Sequence, residues 1–188
     1  MTFFYAIYGK FSYLCLMKIF ESDSRFDIVS LQYAFAPTPF GEVLTASDEW
    51  GLCYAGFVID GDRRAALADL ERRFPNARLE QNDAVQVDIF GNVGALHLAG
   101  TPFQQRVWRT LLTVGRGGRI SYSALAAQAG VPRAVRATAS AVAANPLSIV
   151  VPCHRVVRND GATGNYFWGA ELKRRLLESE GVKMSEAN

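Results

Sequence analysis

Pro152-Cys153-His154-Arg155-Val156 holds the one adjacent cysteine–histidine pair of the chain. A thiolate is the reactive form of cysteine and an imidazole is a base able to generate it, so the pair is a candidate nucleophile site. The apolar run Ser148-Ile149-Val150-Val151 before it reads as a buried strand, which would deliver the thiol at a strand end. A buried structural cysteine beside a surface histidine is the plainer alternative. Five residues of these types in a row arise by chance in on the order of one chain in ten thousand of this length, which favours chemistry.

The rest of the composition narrows the setting. With 188 residues and a 49% apolar share, the chain can bury a core as one large domain or two small ones. Cys15, Cys53 and Cys153 are odd in number and widely scattered. They make no disulfide framework, and a reducing, cytoplasmic setting is expected. Cys15 and Cys53 read as ordinary buried thiols and His97 as a strand-end residue. Two histidines supply a structural zinc poorly, and no metal or cofactor is expected. The first twenty residues are aromatic-rich but interrupted by Lys10 and Lys18. They fit neither a signal peptide nor a membrane span. Residues 1–28 are expected to be an N-terminal extension, disordered or an over-extended start.

Charge is distributed unevenly. From Ile89 to Asn159 there is no Asp or Glu, while Arg106, Arg109, Arg116, Arg119, Arg133, Arg136, Arg155 and Arg158 fall there. This stretch carries +8 and leaves −6 for the remainder of a chain whose net charge is +2. Arginine without acid suits a phosphate backbone; a merely solvated basic face would carry interspersed acids and some lysine.

The elements that must position the pair fall into two parts. Residues 29–99 read as an α+β domain. Leu31–Ala36, Glu42–Ala46 and Cys53–Ile59 form a meander, Asp62 caps a helix carrying Leu67, Leu70 and Phe74, and Val85–Ile89 pairs with Ala95–Leu98. No residue cluster there suggests chemistry. Residues 100–188 read as helical. Thr101-Pro102-Phe103-Gln104 announces a helix by N-cap, first-turn proline and capping box, with Phe103, Val107, Trp108, Leu111 and Leu112 on one face. Ser121 caps a second helix, Tyr122–Gln128. A third opens at Pro132 and stops at Asn145-Pro146, so the last two form a helix-turn-helix. The third helix is almost bare, with Ala134, Ala137, Ala139, Ala141, Ala143 and Ala144 beside Arg133 and Arg136. It lacks the long polar side chains that read the major groove, and a smooth helix suits the narrow minor groove. Tight packing against a neighbouring helix is the alternative.

These residues resemble the O6-alkylguanine-DNA alkyltransferases, or methylated-DNA–protein-cysteine methyltransferases, densely from Thr101 to Gly181 and more weakly back to about residue 29. The resemblance implies an α+β protein with a ribonuclease-H-like N-terminal domain and a helical, winged-helix-like domain bearing a minor-groove helix-turn-helix. It implies that Cys153 accepts the alkyl group and that Asn145 is a hinge tying the recognition helix to the active-site strand. Tyr122 would contact the flipped guanine, and Lys173, Leu176, Leu177 and Glu180 fall on the last helix, where the glutamate orients His154. Asn165-Tyr166 would open an active-site loop, with Tyr166, Val156, Phe167 and Trp168 at the substrate. Arg136 would be the finger that fills the gap left by the flipped base, with Arg133, Ala137 and Ser121 also at the DNA. Phe167 and Trp168 are bulkier than usual at these positions and would narrow the pocket. The zinc ligands of some members have no counterparts here. Cys153 and His154, as neighbours on an extended segment, would point apart and communicate through a water. The partner implied is double-stranded DNA containing O6-alkylguanine, with O4-alkylthymine as a further substrate, acted on by a monomer with no membrane association. Three other readings stand beside this one: a lesion-binding protein of the same fold that takes no alkyl group, a Cys–His hydrolase, and a transcription factor.

Overall fold

Leu52-Cys53-Tyr54-Ala55-Gly56-Phe57 is apolar throughout, the pattern of a strand covered on both faces, and all six residues are buried. In the computed structural model, which describes residues 17–91, 93–164 and 166–183, this is central strand β4 (Leu52–Phe57) of a six-stranded sheet. The other strands are β1 (Lys18–Ser22), β2 (Ser30–Thr38), β3 (Gly41–Ser47), β5 (Arg78–Gln81) and β6 (Ala95–Ala99). Their spatial order is β1-β6-β4-β3-β2-β5. The β2-β3-β4 meander is antiparallel, whereas β5 joins β2, and β1 and β4 join β6, in parallel. Helix α1 (Arg63–Arg73) starts at Asp62, whose carboxylate accepts from the Ala65 amide at 2.9 Å. Its Ala66 and Leu70, with Phe74, join Leu31, Phe35, Leu44 and Tyr54 in the core.

Three expectations are corrected here. Residues 18–22 belong to the sheet as β1, so the stretch expected to be an extension contributes a strand; residues 1–16, with Cys15, lie outside the described residues. Val85–Ile89 is no strand. Asn82 caps a 3-10 turn over Asp83–Val85, and it is the Gln86 side chain, not a backbone ladder, that donates to the Phe35 carbonyl at 2.9 Å. His97 sits inside β6 and is buried, not at a strand end. Its Nδ1 lies 2.6 Å from Asp48 Oδ2 and its Nε2 2.9 Å from Ser22 Oγ. The order is that of a hydrolase triad, but the setting is structural. The other oxygen of Asp48 accepts from the Trp50 and Gly51 amides, so the relay knits the β3–β4 turn, β6 and β1 together.

The chain divides into two compact units, Met1–Thr101 and Pro102–Asn188. In the second, α2 (Pro102–Leu112), α3 (Tyr122–Gln128) and α4 (Val135–Ala143) pack on one another. Trp108 of α2 donates from its indole to the Ala141 carbonyl at 2.8 Å. Ser121 caps α3 through the Ala124 amide, and Gly130 (φ 74°) ends it in the left-handed region open to glycine. Helix α4 begins at Val135 rather than Pro132, because Pro132 and Arg133 form a turn first. A two-residue parallel pair, β7 (Ile120–Ser121) with β8 (Val156–Val157), and the last helix α5 (Ala170–Ser179) complete the unit. Among the described residues, no helix is long and apolar enough to cross a membrane.

Candidate active site around Cys153

Asn145 organises the segment before the nucleophile. It follows the C-terminal end of α4, buried, and its carboxamide accepts from the Leu147 amide at 3.0 Å while donating to the Val151 carbonyl at 2.9 Å. Those are backbone groups that a strand would have paired with a neighbour. Ser148–Val151 is therefore not the strand expected from its apolar run but a turn, and Ile149 takes a φ of 70° within it. A β-branched residue in the left-handed region costs on the order of 1–3 kcal/mol and persists only where surrounding contacts impose it.

Cys153–Arg155 then forms a single 3-10 turn. The extended geometry expected for Cys153 and His154 is thus corrected: successive side chains of such a turn diverge by about 120° rather than lying on opposite faces. Cys153 is 6% exposed. Burial pushes its thiol above the ordinary value, opposed by the Asn145 amide, the Lys173 charge and the Tyr166 hydroxyl, each of which favours the thiolate. The resting group is the thiol, so it must be deprotonated to react.

The imidazole of His154 is held by its partners. His154 is buried, and burial lowers its pKa against the pull of Glu180, so the ring is neutral near pH 7. Its Nε2 lies 3.0 Å from Glu180 Oε1. An ionised carboxylate only accepts, so Nε2 carries the proton and Nδ1 keeps the lone pair; Nδ1 is buried with no hydrogen-bond partner. Glu180 also receives Arg155 through Nε at 3.0 Å and Nη2 at 2.7 Å, and the Gly117 amide at 3.1 Å. Burial alone would raise its carboxyl, but the hydrogen bonds from His154 and Arg155 and the charge of Arg155 prevail and bring it to about 2. Gly117 reaches it with φ 76°, where a side chain would also crowd the Glu180 carbonyl.

The remaining residues gather from three directions. The β7–β8 pairing sets Tyr122 at the start of α3, close enough to Cys153 that burial and the thiolate charge both raise its pKa. Lys173 on α5 is buried, donates to the Val156 carbonyl at 2.6 Å and to that of Thr163, and is lowered to about 8 by burial. Tyr166 lies against Trp168 with ring centroids 5.5 Å apart, and its hydroxyl is 2.9 Å from Ser148 Oγ. Trp168 is buried, whereas Phe167 is 58% exposed and meets Trp168 edge-on, so the two bulky loop residues differ in setting. Val156 is buried directly after the turn. Arg133, Arg136 and Ala137 are exposed around the start of α4, and Ser121 is half-buried. Asn165 lies outside the described residues. Sequence reasoning missed Arg155 as the grip on Glu180 and Ser148 as a partner of Tyr166; a lone polar residue in an apolar run was the available signal for the latter. Among the described residues, no group of three or more His, Cys, Asp or Glu side chains could hold a metal ion.

Comparison with known proteins finds relatives along most of the chain. Residues 102–182 match the model of the 6-O-methylguanine DNA methyltransferase DNA-binding domain. The chain is 42% identical over 170 residues to the regulatory protein ada of Salmonella typhimurium, spanning 84% of this chain and 47% of that protein. It thus covers about half the length of that relative. A methylated-DNA–protein-cysteine methyltransferase of Haemophilus influenzae is 30% identical over 171 residues, 82% of this chain and 89% of the relative. The crystal structure of Mycobacterium tuberculosis OGT in complex with DNA superposes with a TM-score of 0.63 at 31% identity, covering 81% of this chain and 92% of that one.

Proposed function

Because the chain belongs to the family of methylated-DNA–protein-cysteine methyltransferases, we propose that it repairs DNA by direct reversal, moving an alkyl group from O6 of guanine to Cys153 once per molecule. The observation that carries this reading is the buried thiol of Cys153 beside a neutral His154 whose Nε2 is spoken for by Glu180 and whose Nδ1 is unpartnered. On this reading the six-stranded unit is the family's ribonuclease-H-like domain, and α3–α4 is a minor-groove helix-turn-helix in a winged-helix-like domain.

The lesion oxygen lies inside the base stack, so the nucleotide has to be extruded at a cost of a few kcal/mol. Arg136, exposed on a helix of small residues, fills the gap, while the basic surface including Arg133, with Ala137 and Ser121 nearby, holds the backbone. Tyr166, Val156, Phe167 and Trp168 receive the base. A water between Nδ1 of His154 and Sγ carries the thiol proton to the imidazole, and Glu180 with Arg155 stabilises the imidazolium that forms. The thiolate attacks the alkyl carbon in line. The S–C bond forms, the C–O6 bond breaks, and Tyr122, kept protonated by its surroundings, donates to a ring nitrogen of the leaving guanine and is reprotonated with the proton that His154 took from the thiol, so guanine leaves neutral. Lys173 holds charge near the thiolate, and Asn145 keeps the turn in place. A thioether has no leaving group that this site could expel, so the protein acts once.

The test is a short duplex with one O6-methylguanine, incubated with the protein and followed by intact mass and peptide mapping. One methyl on Cys153, saturating at one per protein and lost in Cys153→Ala with binding retained, is expected. A duplex with O4-methylthymine tests the second substrate. Tight binding of the lesion without modification would instead establish the non-enzymatic reading, with the Phe167-Trp168 loop as the obstacle.

A further inference from the structure

Eight arginines fill the acid-free stretch from Ile89 to Asn159, and charge by itself assigns all of them to DNA. Arg116 is placed differently. It lies in the turn between α2 and β7, where the Gly118 amide donates to the Gly115 carbonyl at 3.0 Å and Gly117 takes a φ of 76°. A turn with positive φ at its third residue calls for glycine there. The Gly117 amide donates to Glu180 Oε2 at 3.1 Å, and Nη2 of Arg116 donates to the Ser179 carbonyl, also at 3.1 Å. Arg155, which grips Glu180, donates from Nη1 to the Val114 carbonyl at 2.5 Å, so the start of the turn is tied to the same carboxylate. From these contacts we infer that Arg116 is a positioning residue for the His154–Glu180 pair and not a phosphate contact: it pins the end of α5 so that the Glu180 carboxylate stays at Nε2 of His154.

The place of Ser179 supports this. It is the last residue of α5, and the final carbonyls of a helix have no partners within it. A guanidinium at that carbonyl satisfies an acceptor and sits at the negative end of the helix dipole. Glu180 follows as the C-cap, and its carboxylate is only as fixed as the backbone that carries it. The approach of the turn is close, since a Cβ on Gly117 would lie 3.0 Å from the Glu180 carbonyl. Around His154, Glu180 favours the imidazolium, while burial and the charges of Arg155 and Lys173 oppose it. Anything that lets the carboxylate drift therefore weakens the hold of the ring on a proton. This deepens the alkyl-transfer reading and rests on it only in taking His154 as the base.

The first arm of the test needs no DNA, so it decides the inference even if the wild type transfers no methyl and that reading falls. The chain has two histidines, so imidazole NMR of the full chain from about pH 4 to 9, with His97→Ala to tell the rings apart, follows His154 directly. In Arg116→Ala the His154 midpoint should fall by about 0.3 to 0.7 unit, a proton held roughly twofold to fivefold less tightly. The same substitution in a Glu180→Gln background should move it by no more than about 0.1 unit, because the effect passes through the carboxylate. Gly117→Ala should lower the midpoint at least as far as Arg116→Ala; should it fail to fold, Arg116→Ala decides. The second arm measures binding of an unmodified duplex over a range of salt. Arg116→Ala should keep the wild-type salt slope, whereas Arg133→Ala, a phosphate contact, should lose about one unit of it. Single-turnover methyl transfer at saturating duplex should slow about twofold to fivefold in Arg116→Ala, with duplex affinity within about twofold of wild type. An unmoved His154 midpoint, an equal fall in the Glu180→Gln background, or a salt slope reduced by about one unit in Arg116→Ala would overturn the inference.

Discussion

Replacing Glu180 by glutamine keeps the size of the side chain and removes the charge that holds His154 and Arg155. The carboxyl sits at about 2 against an ordinary 4.5. That shift of roughly two and a half units corresponds to about 3 kcal/mol of stability at about 1.36 kcal/mol per unit. The side chain is 9% exposed, so solvent screening takes little from this figure. Because the folded-state pKa lies below the unfolded one, the stabilisation is fully present above pH 4.5 and disappears as the pH falls through about 2. By pH 3 about 2 kcal/mol of it should be gone. Urea unfolding of wild type and Glu180→Gln, both in a Trp50→Phe background so that Trp108 and Trp168 report the second unit, is to be compared at pH 7, 5, 4 and 3. The two should differ by about 3 kcal/mol at pH 7 and converge in acid. A difference that stays constant down to pH 3, or one below about 1 kcal/mol at pH 7, refutes the reasoning; the carboxylate would then be held by geometry rather than by charge.

Arg136→Ala should slow methyl transfer from duplex DNA at least tenfold while leaving reaction with the free modified base within twofold, because only extrusion from the stack needs the inserted side chain; single-turnover assays on both substrates check this. His97→Ala removes the relay between Asp48 and Ser22 and should cost about 1–3 kcal/mol, with faster amide exchange along β1 read by mass spectrometry. Thr138, wholly buried in α4, has a hydroxyl with no hydrogen-bond partner. Thr138→Val keeps the shape and should raise stability by about 1 kcal/mol in thermal melts, whereas an unchanged or lower Tm would point to a partner for that hydroxyl.

Local signals were enough for much of the architecture. Asp62 and Ser121 declared themselves as helix caps, Asn145-Pro146 as a helix stop, and the alternation of residues 31–57 as a meander, since each depends on neighbours within a few residues. The candidate nucleophile, Cys153, was legible for the same reason: its motif is contiguous. The failures share a cause. Lys18–Ser22 is a strand because β6 accepts it some seventy-five residues along the chain, and Ser148–Val151 is a turn in which the Asn145 carboxamide holds the Val151 carbonyl and the preceding Leu147 amide. Likewise, Glu180 is held by Arg155 and the Gly117 amide, and Ser148 reaches Tyr166, only once distant segments meet. The sequence by itself therefore determined which residue is the candidate nucleophile and which helices frame it. How that thiol is buried, which imidazole nitrogen stays free and what holds the Glu180 carboxylate were decided by tertiary structure, because hydrogen bonds between segments far apart in the chain leave no periodicity to read.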